Sequence, residues 1–156
     1  MFGLVGVIVG GLITGGVNYF LDERRAKRDE TKEKRKRLTH LKRAARLVDD
    51  DFSVALTSVV FIIENKRWLP GGFNLVRFDS WEAHRVVLAT ETTLADWGAL
   101  QLAVRAMKVY QAQSADEIAL NKGVVIAAVQ PTLQRYKDAI EKGCAALKPY
   151  LDLAID

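Results

Sequence analysis

Apolar and polar positions divide this chain into segments of different character. Phe2 to Leu21 is a run of twenty residues without a charge, six of them glycine, in which Thr14 and Asn18 are the only clearly polar side chains. A hydrocarbon layer about 30 Å thick takes roughly 20 apolar residues as a helix, because a helix satisfies its own backbone polar groups. The run therefore predicts a transmembrane helix over residues 1–21. Directly behind it stands DERRAKRDETKEKRKR, rich in good helix formers and free of Pro and Gly. From Leu41 the apolar positions Leu41, Ala45, Val48, Phe52, Ala55, Val59 and Ile62 step alternately by four and three, a heptad seam that predicts one helix continuing to Arg67. Around Val59–Ile63 apolar residues occupy the whole circumference, which predicts burial on all sides.

Trp68-Leu69-Pro70-Gly71-Gly72 supplies the breakers that end this helix. Asp79-Ser-Trp-Glu82 has the form of a capping box and predicts a second helix to about Ala89. Thr93-Leu-Ala-Asp96 starts a third, with Leu94, Trp97, Leu100, Val104 and Met107 on one face. Ser114-Ala-Asp-Glu117 predicts the start of a fourth, whose inner face is Ile118, Val125, Val129, Leu133, Tyr136, Ile140, Cys144 and Leu147. Pro131 should kink or split that helix near Val129, and Pro149 should end it. Alternating strand patterns are absent. The fold class expected is all-α: an N-terminal transmembrane helix continuing into a long helix of an antiparallel helical bundle. The domain expectation is 1–21 in the membrane, 22–46 a basic juxtamembrane helix and 47–156 a cytoplasmic helical bundle.

Charge adds an orientation. Asp22–Arg46 holds twelve Lys/Arg against five Asp/Glu, a balance of +7, while Leu47 onward holds eleven against fourteen, or −3. Basic residues next to a span stay on the cytoplasmic side, so the pattern predicts a single pass through a bacterial inner membrane, N-terminus out. A cleaved signal peptide would want positive charge before the apolar run and a small-residue cleavage site after it, and neither is present. The single cysteine, Cys144, forms no intramolecular disulfide and agrees with a reducing compartment.

The candidate chemistry starts with the glycines. Gly3, Gly6 and Gly10 fall within about 60° on a helical wheel, and Gly11 and Gly15 share a second face. Small residues four apart let membrane helices approach closely, and Asn18 can add an interhelical hydrogen bond, so the span is read as the site of homo-oligomerisation. Arg24, Arg25, Lys27 and Arg28 would contact anionic lipids or line a pore mouth favouring anions. With no aromatic between Leu21 and Phe52, the collar offers no stacking platform and does not read as a nucleic-acid interface. Two widely separated histidines, one cysteine and the Asp49-Asp50-Asp51 triplet, which spreads around a helix, make no metal site. No phosphate loop and no nucleophile with a base partner is visible, so no cofactor and no catalytic residue is assigned. Trp68, Trp81 and Trp97 are expected to close the bundle at helix ends, without a polar partner set for a ligand cage.

Two resemblances follow from these segments. GLVGVIVGGLITGG, then ERRAKRDE, then SWEAH resembles a broad group of small single-span proteins frequent in actinomycetes and other bacteria. The order of parts is also similar to the CRISPR-associated membrane protein that joins one span to a HEPN-like helical domain and assembles as a pore. HEPN-type ribonucleases pair an Arg with a His four to six residues on. Arg77 and His84 have the six-residue gap and Arg35 and His40 the four-residue gap, although Phe78 stands where that family places a polar residue. The function expected is non-enzymatic: a membrane-anchored scaffold or pore-like homo-oligomer, with stress or phage defence as its setting. The alternatives are a HEPN-like ribonuclease using Arg77 and His84, and a monomeric tether that recruits a protein partner through the acidic bundle.

Overall fold

The computed structural model describes the backbone of residues 3–69, 76–121, 124–125 and 127–154, and their side chains from residue 21 onward apart from 119–121. Among the described residues four α-helices follow one another: α1 (Gly3–Asn65), α2 (Asp79–Glu91), α3 (Leu94–Asn121) and α4 (Gln130–Leu151), with a 3-10 turn at Ala127–Val129 before α4. Among the described residues no strand occurs, only an isolated bridge between Arg67 and Val124. Also among those residues, no helix is long and apolar enough to cross a membrane. The side chains of Phe2–Phe20, on which the expected span rests, lie outside the described set.

The described residues up to Thr39 belong to one compact unit and His40–Ala154 form another. In the first, the described side chains from Leu21 to Thr39 are exposed but for a half-buried Leu38. Intrahelical pairs hold this stretch: Arg25 with Asp22 at 3.6 Å, Lys27 with Glu23 at 2.8 Å and Arg37 with Glu33 at 3.6 Å. Each adds only a few tenths of a kcal/mol. High helix propensity does the rest.

The second unit contains the core. All seven seam residues from Leu41 to Ile62 are buried, with Ala44 beside them, so the heptad spacing marks the inward face of α1 correctly. Burial on all sides at Val59–Ile63 is not found. Phe61 is exposed and Val60 and Ile63 are half-buried, because α1 flanks the bundle and only its seam meets the other helices. Phe61, Val54 and Leu69 instead line a shallow apolar groove of about 360 Å³ with Ser53, Thr57 and Ser58.

Helix α1 ends at Asn65, ahead of the Pro and Gly breakers. Lys66 takes a left-handed conformation (φ 52°), and its amide closes the last turn on the Ile62 carbonyl at 2.9 Å. Its own carbonyl accepts the Val125 amide at 3.1 Å, so the stop is set by a tertiary contact. Two further expectations are corrected. The Asp79–Glu82 capping box does not form: α2 begins at Asp79 with Phe78 as its cap residue and no side-chain cap bond. Glu82 pairs outward with Arg85 and Lys108. Nor does a helix begin at Ser114. Helix α3 runs through it, and the buried Ser114 hydroxyl donates back to the Gln111 carbonyl at 2.9 Å. Local capping potential loses to burial there. The split expected near Pro131 is real, with Pro131 in the first turn of α4, where its missing N–H costs nothing.

Helices pack very tightly at Gly143 of α4. A Cβ built there would stand 2.6 Å from the Ala103 Cβ of α3 and 2.7 Å from Cε2 of Phe52 of α1. Three helices meet at a position where only hydrogen fits.

Candidate functional site

The candidate site most clearly built by the fold lies between α2 and α3. Trp81 is in the first turn of α2 and Trp97 in the first turn of α3, and their rings stack at 5.2 Å with planes 12° apart. Along α3 the steps Trp97, Gln101, Arg105 and Lys108 keep one face, and along α2 Arg85 follows Trp81 by one turn. Together with Val104 and Val109 these residues line a furrow of about 340 Å³. Its floor is apolar, formed by the buried Trp81 and Val104. Its rim is cationic: Arg85, Arg105 and Lys108 are exposed.

One carboxylate serves two of these cations. Glu82 lies 3.4 Å from the Arg85 guanidinium and 3.4 Å from Lys108 Nζ, and Lys108 also stands over the Phe78 ring at 5.4 Å from its centroid. Arg105 makes no ion pair among the described residues. The furrow thus keeps an excess of two positive charges within a body whose balance from residue 47 onward is −3. Both Glu82 pairs are long and solvent-exposed, so an incoming anion can displace the carboxylate at small cost.

A polar clamp fixes the α3 end of the furrow. The Thr93 hydroxyl accepts the Asp96 amide at 3.2 Å and donates to the Asp96 carboxylate at 2.7 Å. Tyr150 of α4 donates to the same carboxylate at 2.6 Å and accepts the Thr93 amide at 3.0 Å. The Tyr150 hydroxyl, and then Thr93, hold the Asp96 carboxyl below the usual range. The helix start expected at Thr93–Asp96 therefore forms, tied to α4, and orients Trp97 one residue on.

The tryptophans do not form one cluster. Trp68 stacks on Tyr110 at 6.3 Å, and Tyr110 meets Tyr136 edge-on at 6.3 Å. Among the described residues the buried Tyr110 hydroxyl and Trp68 Nε1 have no hydrogen-bond partner, and burial pushes the Tyr110 phenol up to about 12. Cys144 is half-buried, and burial, with Asp49 and Glu141 nearby, pushes its thiol up to about 11. That leaves a protonated, weakly nucleophilic sulfur.

The other sequence candidates are dispersed. Arg77 is exposed just before α2, near the half-buried Asp51, whose carboxyl burial pushes upward. His84 is half-buried in the second turn of α2. Arg24, Arg25, Lys27 and Arg28 are exposed along α1. Gly3, Gly6, Gly10, Gly11, Gly15 and Asn18 lie outside the described side chains. The furrow itself escaped sequence reasoning because its two walls come from different helices. The available signal was the Trp-x3-Arg spacing of Trp81 and Arg85 set against the Trp97–Lys108 face. Compared with known proteins, the chain matches no family profile, no curated protein and no solved structure.

Proposed function

We propose that this chain is a non-enzymatic, membrane-anchored helical module that self-associates through its glycine-rich N-terminal run. The observation that carries this reading is the extent of α1: one helix, Gly3–Asn65, takes in the apolar run, the basic collar and the core seam. A 20-residue apolar helix matches the hydrocarbon thickness. Exposed collar cations next to it add about 1 kcal/mol each against anionic headgroups. Glycines spaced by four permit close helix packing in lipid. On this reading the C-terminal unit faces the cytoplasm.

Sedimentation of the full chain in mild non-ionic detergent tests the reading. The wild type should sediment as a multiple of its 17.4 kDa mass, and Gly6→Leu combined with Gly10→Leu should reduce it to the monomer. A monomeric wild type would refute self-association. Recovery of the chain in the soluble fraction of lysed cells without detergent would refute the anchor.

A further inference from the structure

Cations on an exposed helix face are ordinary, and three of them need no explanation by themselves. What sets this furrow apart is what lies under them. Trp81 and Val104 form a buried apolar floor, Trp97 is half-buried at its edge, and Arg85, Arg105 and Lys108 stand around the rim. The half-buried Trp97, backed by the stacked Trp81, offers a flat ring an apolar wall, while guanidinium forks and an ammonium take an anion. The volume, about 340 Å³, falls at the small end of ligand sites.

We propose that this furrow binds a small phosphate anion carried on a planar ring, of the mononucleotide class, with the ring against Trp97 and the phosphate among Arg85, Arg105 and Lys108. Arg105 is the first phosphate ligand, since among the described residues it has no ion-pair partner to release. Arg85 and Lys108 follow by giving up Glu82, an exchange between exposed pairs at 3.4 Å. The Thr93–Asp96–Tyr150 clamp holds the first turn of α3, so the Trp97 wall is set before a ligand arrives. This proposal does not depend on the membrane reading, because every residue in it lies in the unit His40–Ala154.

The test is titration calorimetry of the full chain in non-ionic detergent, with AMP, ribose 5-phosphate and adenosine as separate probes. AMP should bind at least about tenfold more tightly than either fragment, since it alone engages the indole face and the cations together. Arg105→Ala, an exposed change, should weaken AMP about tenfold with an unchanged far-UV spectrum. Trp97→Leu, checked in the same way for folding, should weaken AMP while leaving ribose 5-phosphate unaffected. Arg77→Ala, outside the furrow, should change nothing. Ribose 5-phosphate or adenosine binding as tightly as AMP, or full AMP affinity in Arg105→Ala, would each overturn the proposal, as would no heat with millimolar AMP.

Discussion

Replacing Gly143 by alanine adds one methyl group where α4 meets α1 and α3, and the same substitution at Gly98 adds one to open solvent. At Gly143 the new carbon would lie 2.6 Å from the Ala103 Cβ and 2.7 and 3.0 Å from two ring carbons of Phe52. Comfortable carbon contacts are about 3.5–4.0 Å, so the overlap is close to 1 Å against two neighbours. Neither can step aside easily: the Ala103 Cβ is fixed to its backbone, and Phe52 is fully buried. Relief requires the helices to part, and overpacking of this kind costs about 1–3 kcal/mol. Alanine's better helix propensity returns about 1 kcal/mol. The overpacking wins. With two overlaps near 1 Å the cost falls in the upper part of that range, about 2–3 kcal/mol, so the expected net loss for Gly143→Ala is about 1–2 kcal/mol, a fall in Tm of roughly 4–8 °C for a unit of this size. At Gly98 nothing lies within 4 Å of the added carbon, so only the propensity gain remains and Gly98→Ala should stabilise by about 0.5–1 kcal/mol. Urea unfolding followed by circular dichroism measures both. Combining Gly143→Ala with Ala103→Gly should recover part of the loss, giving a favourable coupling in the double-mutant cycle. If Gly143→Ala stabilised the protein as much as Gly98→Ala, the three helices could not meet as closely as Gly143 requires.

Two further expectations concern ionisable groups. The buried Tyr110 hydroxyl has no partner among the described residues, so Tyr110→Phe should raise stability at pH 7 by about 1 kcal/mol. Its folded pKa is raised to about 12 against about 10 unfolded, so wild-type stability should be full below pH 10 and drain as pH approaches 12. Tyr110→Phe should remove that share of the alkaline loss in urea midpoints, and an unchanged slope would contradict the burial argument. Asp96 shows the opposite sign. Its carboxyl is held low chiefly by Tyr150 and then by Thr93, so the stability it contributes is present above about pH 4 and lost as pH falls below that value. Tyr150→Phe should therefore lower the urea midpoint more at pH 7 than at pH 2.5, whereas a pH-independent difference would mean that the clamp does not act through the charged carboxylate.

The sequence by itself determined what depends on local periodicity and propensity. It marked the all-α class, the inward face of α1 from Leu41 to Ile62, the start of α3 at Thr93–Asp96 and the break before Pro131, because spacing, capping and the missing proline N–H act within a few residues. Only the tertiary structure decided what depends on competition or on neighbours distant in sequence. Ser114 has the chemistry of a helix start, yet its burial keeps α3 continuous, since the hydroxyl bonds locally without ending the helix. Asp79 and Glu82 could have capped α2 reciprocally, but Glu82 pairs instead with cations on two helices. No local signal distinguishes Gly143, which packs against Phe52 and Ala103, from Gly98, which faces solvent. The furrow is the largest such case. Trp81 and Trp97 are sixteen residues apart and Glu82 and Lys108 twenty-six, and only the packing of α2 on α3 sets them side by side.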